Sequence, residues 1–230
     1  MKPDPAPFPT GTALRRLSLE QVALAYARMG SRLARQGDVI VKQGDPAFLY
    51  YLLESGTAEV RRRDPASGLE RCVAELGPGH VFGEEALMLN GFRNATVVMT
   101  SNGRIWSLKK DDFDALVRPA LVKTITPARA RERVRQGTAK WLDCRYEIEF
   151  AQRRLPGATL IPLDRLRDLC HVLDTETTYI VYCQNGRRSE CATYLLKEKG
   201  IDALLLDGGL SAWPYETRTR PRDFEAPMLD

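Results

Sequence analysis

Between residues 32 and 108 the chain carries short apolar runs broken by polar positions. They are Val39-Ile40-Val41, residues 49–53, Ala58-Glu59-Val60, and residues 72–76, 95–99 and 105–108. Turns containing glycine separate them, among them Gly44-Asp45, Ser55-Gly56, Gly77-Pro78-Gly79 and Ser101-Asn102-Gly103. Many short strands at even spacing predict a β-sandwich or barrel. Upstream, Ser18 is placed to cap a helix that runs to about Met29. Downstream, Asp111 or Asp112 caps a helix over Phe113–Val117, and Pro119 is expected to end it.

Beyond residue 125 the texture changes. Thr126-Pro127 opens a helix that reaches about Gln136 and closes at Gly137. Strand and helix patterns then alternate, with strands expected at 140–142, 159–161, 179–182 and 203–206, the arrangement of a parallel sheet with crossovers. The switch lies near 119–125. The chain is therefore read as multidomain: an all-β, sandwich-like domain with flanking helices at 1–119, then an α/β domain with a central parallel sheet at 124–220. Four prolines within residues 1–12 point to a loose tail there.

Composition narrows the class. Of 230 residues, 43% are hydrophobic and 28% charged, as in ordinary soluble domains. No apolar stretch approaches the roughly 18 residues of a membrane span. The N-terminal residues lack the apolar core of a signal peptide, and five cysteines show no tight pairing pattern. Together these make the cytoplasm the expected location. Two histidines and scattered cysteines offer no metal-ligand spacing, so no metal is expected. The net charge of +4 is mild and sits in local arginine clusters. Without a reading helix or an aromatic-studded basic sheet it gives no ground for nucleic-acid binding.

One thiol stands apart. The apolar run Tyr179-Ile180-Val181-Tyr182 ends at Cys183, which opens Cys183-Gln184-Asn185-Gly186-Arg187-Arg188-Ser189, and a helical pattern follows. A cysteine at a helix N-terminus faces free N–H groups and the positive end of the dipole, which favours thiolate over thiol. Gly186 permits a tight turn. Arg187 and Arg188 add positive charge, with Arg188 expected nearer the loop's closing end and Arg187 nearer solvent. The predicted device is a reactive sulfur in a cationic cradle suited to small anions. A free cysteine is more commonly inert core, and Cys72, Cys144, Cys170 and Cys191 are assigned that role.

The Cys183 segment resembles the active-site loop of the rhodanese (sulfurtransferase) family in its six-residue form. Leu142-Asp143-Cys144-Arg145 is similar to that family's Leu-Asp-Val-Arg strand end, with Cys144 in place of valine. Glu147 or Glu149 corresponds to the acidic residue that follows. Leu155-Pro156-Gly157-Ala158 with Ile161-Pro162, and Leu206-Asp207-Gly208-Gly209-Leu210 with Ala212-Trp213, extend the likeness over about 125–213. The resemblance implies sulfur transfer through a persulfide on Cys183, from a small anionic donor such as thiosulfate to a thiol or cyanide acceptor. Asp143 and Arg145 would brace the loop.

A second constellation lies in Val81-Phe82-Gly83-Glu84-Glu85-Ala86-Leu87 and Arg93-Asn94-Ala95-Thr96-Val97. A short helical turn begun at Gly83, a fixed cation at Arg93 and a carboxylate at Glu84 together suit a ribose phosphate. The plainer alternative is a surface hairpin with a Glu84–Arg93 salt bridge. The segment resembles the phosphate-binding cassette of the cyclic nucleotide-binding domain, and the likeness covers about 32–117. It implies that Glu84 takes the ribose 2′-hydroxyl and Arg93 the cyclic phosphate, with Gly83, Ala86 and the Asn94 and Ala95 backbones completing the cradle. The ligand would be cAMP or cGMP. Relatives of that domain often dimerise, so a homodimer is the assembly to test for.

Three further readings compete with a nucleotide-regulated sulfurtransferase. A phosphatase or arsenate reductase on the same fold would hold five residues between cysteine and arginine, whereas four lie between Cys183 and Arg188. A non-enzymatic sensor or scaffold would use the second domain to bind a partner or carry sulfur. A transcription factor would need a helix-turn-helix where this chain turns α/β.

Overall fold

The computed structural model describes residues 17–64 and 66–219, so the expected tail at 1–12 lies outside the described residues. The chain divides into two compact units, with the main break between Lys123 and Thr124.

The first unit opens with α1 (Leu19–Arg28). The Ser18 hydroxyl accepts from Gln21 N–H, and the Gln21 side chain accepts from Ser18 N–H. This reciprocal box satisfies two donors that the helix leaves open. The strands follow: β1 (Gly30–Ala34), β2 (Val39–Val41), β3 (Leu49–Ser55), β4 (Ala58–Arg63), β5 (Glu70–Leu76) and β6 (Val81–Phe82). After the one-turn α2 (Glu84–Met88) come β7 (Thr96–Met99) and β8 (Gly103–Lys109). They form two antiparallel sheets, in the orders β1-β8-β3-β6 and β2-β7-β4-β5.

Alternation explains the packing. Ala34, Leu53, Phe82 and Ile105 from the first sheet meet Ile40, Val41, Ala58, Leu76, Val97 and Met99 from the second in one buried core. Tyr50 is also fully buried, and its ring lies 4.9 Å from that of Phe113. β5 is an edge strand exposed at all positions but Leu76. Its Glu70, Arg71 and Glu75 suit an edge that must not pair with other chains.

The expected helix over 113–117 does not stop at Pro119. Helical backbone runs from α3 (Lys110–Asp112) through a π segment (Phe113–Val117) into α4 (Arg118–Leu121). Arg118 N–H bonds to Phe113 O, five residues back. The wider turn, together with the position of Pro119 at the start of α4, lets the chain tolerate a residue that cannot donate.

The second unit begins with β9 (Thr124–Ile125) and α5 (Pro127–Arg135). β10 (Lys140–Asp143), α6 (Glu147–Gln152), β11 (Arg153–Arg154), β12 (Thr159–Leu160) and α7 (Leu166–Leu169) follow. β13 (Tyr179–Tyr182), α8 (Arg187–Glu198), β14 (Ala203–Leu206) and β15 (Arg218–Thr219) complete it. The sheet order is β12-β10-β13-β14-β9, with every pairing parallel. β13 is central and buried at all four positions, as a strand covered on both faces must be. Trp141 packs edge-on against Trp213 at 5.3 Å, within a cluster that includes Ile180, Tyr182 and Leu210. The β13–α8 junction therefore lies at the carboxyl end of a central strand, where open parallel sheets place their sites. No helix among the described residues is long and apolar enough to cross a membrane.

Gly103 lies against the β3 backbone, and a Cβ there would fall 2.0 Å from Ser55 O. Gly103→Ala is expected to destabilise the first unit by about 3 kcal/mol, measured as a lower urea midpoint. An unchanged midpoint would show that this contact yields freely.

Candidate functional sites

In the second unit, strand pairing sets the geometry. Asp143 is in register with Tyr182, so the two chains leave the sheet side by side as Cys144 and Cys183. Cys144 N–H bonds to Tyr182 O at 3.1 Å. Gly186, at φ +93°, turns the chain into α8. Behind this loop, Leu210 N–H bonds to Cys183 O at 3.0 Å and Ser211 N–H to Gln184 O at 2.9 Å. Gly209 makes that approach possible: a Cβ there would lie 2.6 Å from Cys183 O and 3.0 Å from Gly186 N.

Cys183 is fully buried. Its sulfur lies 3.4 Å from Ser189 Oγ, and that hydroxyl is also 3.0 Å from Gly186 O. The Cys183 thiol is pulled down to about 5. The largest cause is a hydrogen bond from the Cys144 side chain, and the Ser189 hydroxyl and the Ser189 and Asn185 backbones add further bonds against the cost of burial. Burial, hydrogen bonding to Cys183 and the nearby charges push Cys144 well up, so it stays a thiol. Cys144 is buried, as expected of core, and its side chain is the leading influence on the reactive sulfur. One expectation is corrected: Cys72 is exposed rather than core.

The arginines also differ from a plain cationic cradle. Arg187 is exposed, while Arg188 is partly buried and makes a two-pronged bond to Glu149 at 2.6 and 2.7 Å. Arg188 holds the Glu149 carboxyl below its usual range, and Glu149 holds Arg188 above its own. Glu149 also accepts from Tyr146 N–H at the start of α6, which fixes its direction. Glu147 instead lies 3.9 Å from Arg165. The choice left open between the two glutamates is thus set by which one faces α8. Asp143 and Arg145 form a buried ion pair, with bonds of 2.7 to 3.2 Å, beneath the strand end.

In the first unit, Gly83 sits at φ +88° between β6 and α2. Glu84 and Arg93 are both buried, as are Ala86 and Ala95, while Asn94 is exposed. Arg93 Nη1 donates to Gly83 O at 2.8 Å, and Nη2 donates to Leu49 O at 2.7 Å. Its guanidinium carbon lies 5.7 Å from the Tyr51 ring centre, and Tyr51 stacks on Phe82. Burial lowers the Arg93 guanidinium from its ordinary value, while Tyr51, Glu84 and Asp45 act in the opposite sense. A Cβ at residue 83 would come within 2.6 Å of Arg93 Nη1, so glycine is needed for the arginine's place as well as for the turn. Two of five guanidinium donors are thereby fixed, and others remain for a ligand. Tyr51 carries no signal of this role in the sequence, because its alternation marks only a strand.

Residues 31–119 match the family model of the cyclic nucleotide-binding domain, and residues 126–216 match that of the rhodanese-like domain. The cyclic AMP receptor protein of Thermus thermophilus is 32% identical over 66% of this chain and 72% of its own length. The regulatory subunit of the cAMP-dependent protein kinase of Yarrowia lipolytica is 36% identical over 45% of this chain, which spans only 26% of that protein. Among solved structures, the regulatory domain of the Toxoplasma gondii kinase PKA, crystallised with cAMP, aligns at 30% identity over 47% of this chain and 41% of its own (TM-score 0.45). The chain belongs to the cyclic nucleotide-binding proteins, and in it that domain is followed by a rhodanese-like one.

The ultraviolet thiolate band of Cys183, isolated as the difference from Cys183→Ser, is expected to titrate near 5. The sign follows from hydrogen bonds that favour the charged form: thiolate dominates above that pH and is lost below it. Cys144→Val removes the leading donor and is expected to raise the midpoint by about one unit or more. A Cys183 midpoint in the ordinary thiol range near 8.5 would refute the assignment.

Proposed function

We propose that this chain, a cyclic nucleotide-binding domain joined to a rhodanese-like domain, is a rhodanese-type sulfurtransferase regulated by a cyclic nucleotide. The observation that carries the reading is the buried Cys183 sulfur, held as a thiolate by fixed hydrogen-bond donors at the carboxyl end of the central strand. A thiolate is the form that attacks sulfur. With thiosulfate, Cys183 Sγ bonds to the outer sulfur while sulfite leaves with the electron pair. The persulfide anion then occupies the same set of donors. An acceptor thiolate or cyanide takes the outer sulfur and returns Cys183 as thiolate. Arg188 and exposed Arg187 draw the anionic donor in, and Glu149 orients Arg188. The Asp143–Arg145 pair braces the strand end.

In the first unit, Arg93 supplies guanidinium donors to the cyclic phosphate, with the Gly83, Asn94 and Ala95 backbones beside it. Glu84 accepts from the ribose 2′-hydroxyl, and Ala86 leaves room for the ligand. The cAMP named for the relatives makes it the first ligand to test, beside cGMP. A second reading, a non-enzymatic sensor whose rhodanese-like part binds a partner, draws on the complete burial of Cys183, since a donor must displace part of the loop to reach it.

Cys183→Ser is expected to abolish thiosulfate-to-cyanide sulfur transfer, read as thiocyanate; normal transfer by the variant, or none by the parent chain, would favour the sensor. Arg93→Lys, which retains charge but loses the planar fork, is expected to weaken cyclic nucleotide binding about 100-fold, or about 3 kcal/mol, by calorimetry. Regulation requires the ligand to distinguish two states. Transfer rates measured with saturating nucleotide and without it should therefore differ, and equal rates would remove regulation.

A further inference from the structure

The mechanism above gives every bond-making step to Cys183 and none to its neighbour. Cys144 and Cys183 each directly follow the last paired residues, Asp143 and Tyr182, of adjacent parallel strands, and Cys144 N–H bonds to Tyr182 O at 3.1 Å. Adjacent strands lie about 4.8 Å apart, inside the roughly 4.4–6.8 Å between Cα atoms that a disulfide requires. The Cys144 S–H donates to Tyr182 O at 3.3 Å, the carbonyl directly preceding Cys183, and the Cys144 side chain is the leading influence that lowers the Cys183 thiol. Cys144 is also 1% exposed, so the sulfur it can reach is the one on Cys183 rather than one in solvent.

We propose that Cys144 is a resolving thiol, which converts the Cys183 persulfide into an internal disulfide and releases sulfide. The proposal rests on the persulfide reading and adds a second activity to it, the reductive cleavage of sulfane sulfur. Cys144 Sγ attacks Cys183 Sγ, and an Sγ–Sγ bond forms. The bond from Cys183 Sγ to the outer sulfur breaks, and that sulfur leaves with the electron pair. It takes the Cys144 proton and departs as HS⁻. The two cysteines are together oxidised by two electrons, and the sulfane sulfur is reduced by two. An external dithiol reductant then restores both thiols by exchange. With thiosulfate as donor, one cycle yields one sulfite and one sulfide.

Burial suits Cys144 to this order of events. Kept protonated, it leaves external donors to Cys183 and reacts only once the neighbouring sulfur is part of an S–S bond. Its proton is then transferred as the bond forms.

The test uses the full chain, reduced and freed of reductant, then treated with thiosulfate above the ordinary thiol pH range so that Cys183 is thiolate in every variant. Intact mass, non-reducing peptide maps and released sulfide are read. The parent chain is expected to lose two hydrogens, to link the Cys144 and Cys183 peptides, and to release one sulfide per chain. Cys144→Ser keeps a hydroxyl donor to Cys183, and Cys144→Val keeps only bulk; both are expected to gain one sulfur, hold it, and release no sulfide. A parent chain that holds the added sulfur without releasing sulfide overturns the resolving role and leaves sulfur transfer intact. If the folded Cys144 variants gain no sulfur and the parent keeps its reduced mass and releases no sulfide, the persulfide reading fails and this inference with it. A link from Cys183 to Cys191 instead would assign the role to the wrong thiol and overturn it as well.

Discussion

A charge removed from water must be met by groups fixed before it arrives, and the Cys183 loop is organised around that requirement. Burial alone would push the thiol up, toward the neutral form. The opposite outcome needs donors that cost nothing to align at the moment of ionisation. Main-chain N–H groups at the head of α8, the Ser189 hydroxyl and the Cys144 thiol meet that condition because sheet register and loop turn already hold them. The Gly209 contact belongs to the same device, since it lets the closing segment anchor Cys183 O and Gln184 O from behind.

Arginine plays a different part in each unit. Arg188 is largely neutralised by Glu149, so its contribution at the sulfur is weaker than that of an unpaired cation at the same place, and the leading stabilisers of the thiolate are hydrogen bonds. Arg93 rests on two backbone carbonyls and is buried, with Glu84 and Asp45 acting on it at longer range. Carbonyl dipoles hold a guanidinium in place without cancelling its charge, which keeps it available to an anion. A buried Arg93 braced in this way suits recognition, and a paired Arg188 suits orientation.

Much of the architecture was legible in the chain, for reasons that can be named residue by residue. β2, β13 and β14 lie where the apolar runs stop and start, because both faces or one full face of each must be covered. β1, β6 and β9 were not anticipated. β1 is exposed except at Ala34, and the other two are only two residues long, so none carries a periodic signal. The helix continues past Pro119 because that proline stands in the first turn of α4, just after the π segment, where its missing N–H costs no helical bond. Of the site, Cys183, Gly186, Gly83, Glu84 and Arg93 could be named from motif chemistry alone. Cys144 could not, since its importance depends on register with a strand 39 positions away, through the Asp143–Tyr182 pairing. The signal was present in one respect: each cysteine stands at the carboxyl end of a strand expected in the same parallel sheet.

Placing a thiol rather than an aliphatic side chain next to the reactive sulfur has a chemical consequence beyond packing. A valine at residue 144 would fill similar volume but donate nothing, leaving the Cys183 anion to the loop amides and Ser189. A thiol supplies the leading hydrogen bond and so widens the pH range in which Cys183 is nucleophilic. The same strand pairing sets the second cysteine beside the first. Any chemistry that makes Cys183 electrophilic therefore acts in the presence of a preplaced nucleophile, at an effective concentration no solution thiol attains. Lowering the thiolate's pKa and resolving its oxidised product are thus two results of one sheet register, and a change that separates the strands at Asp143 and Tyr182 must weaken both.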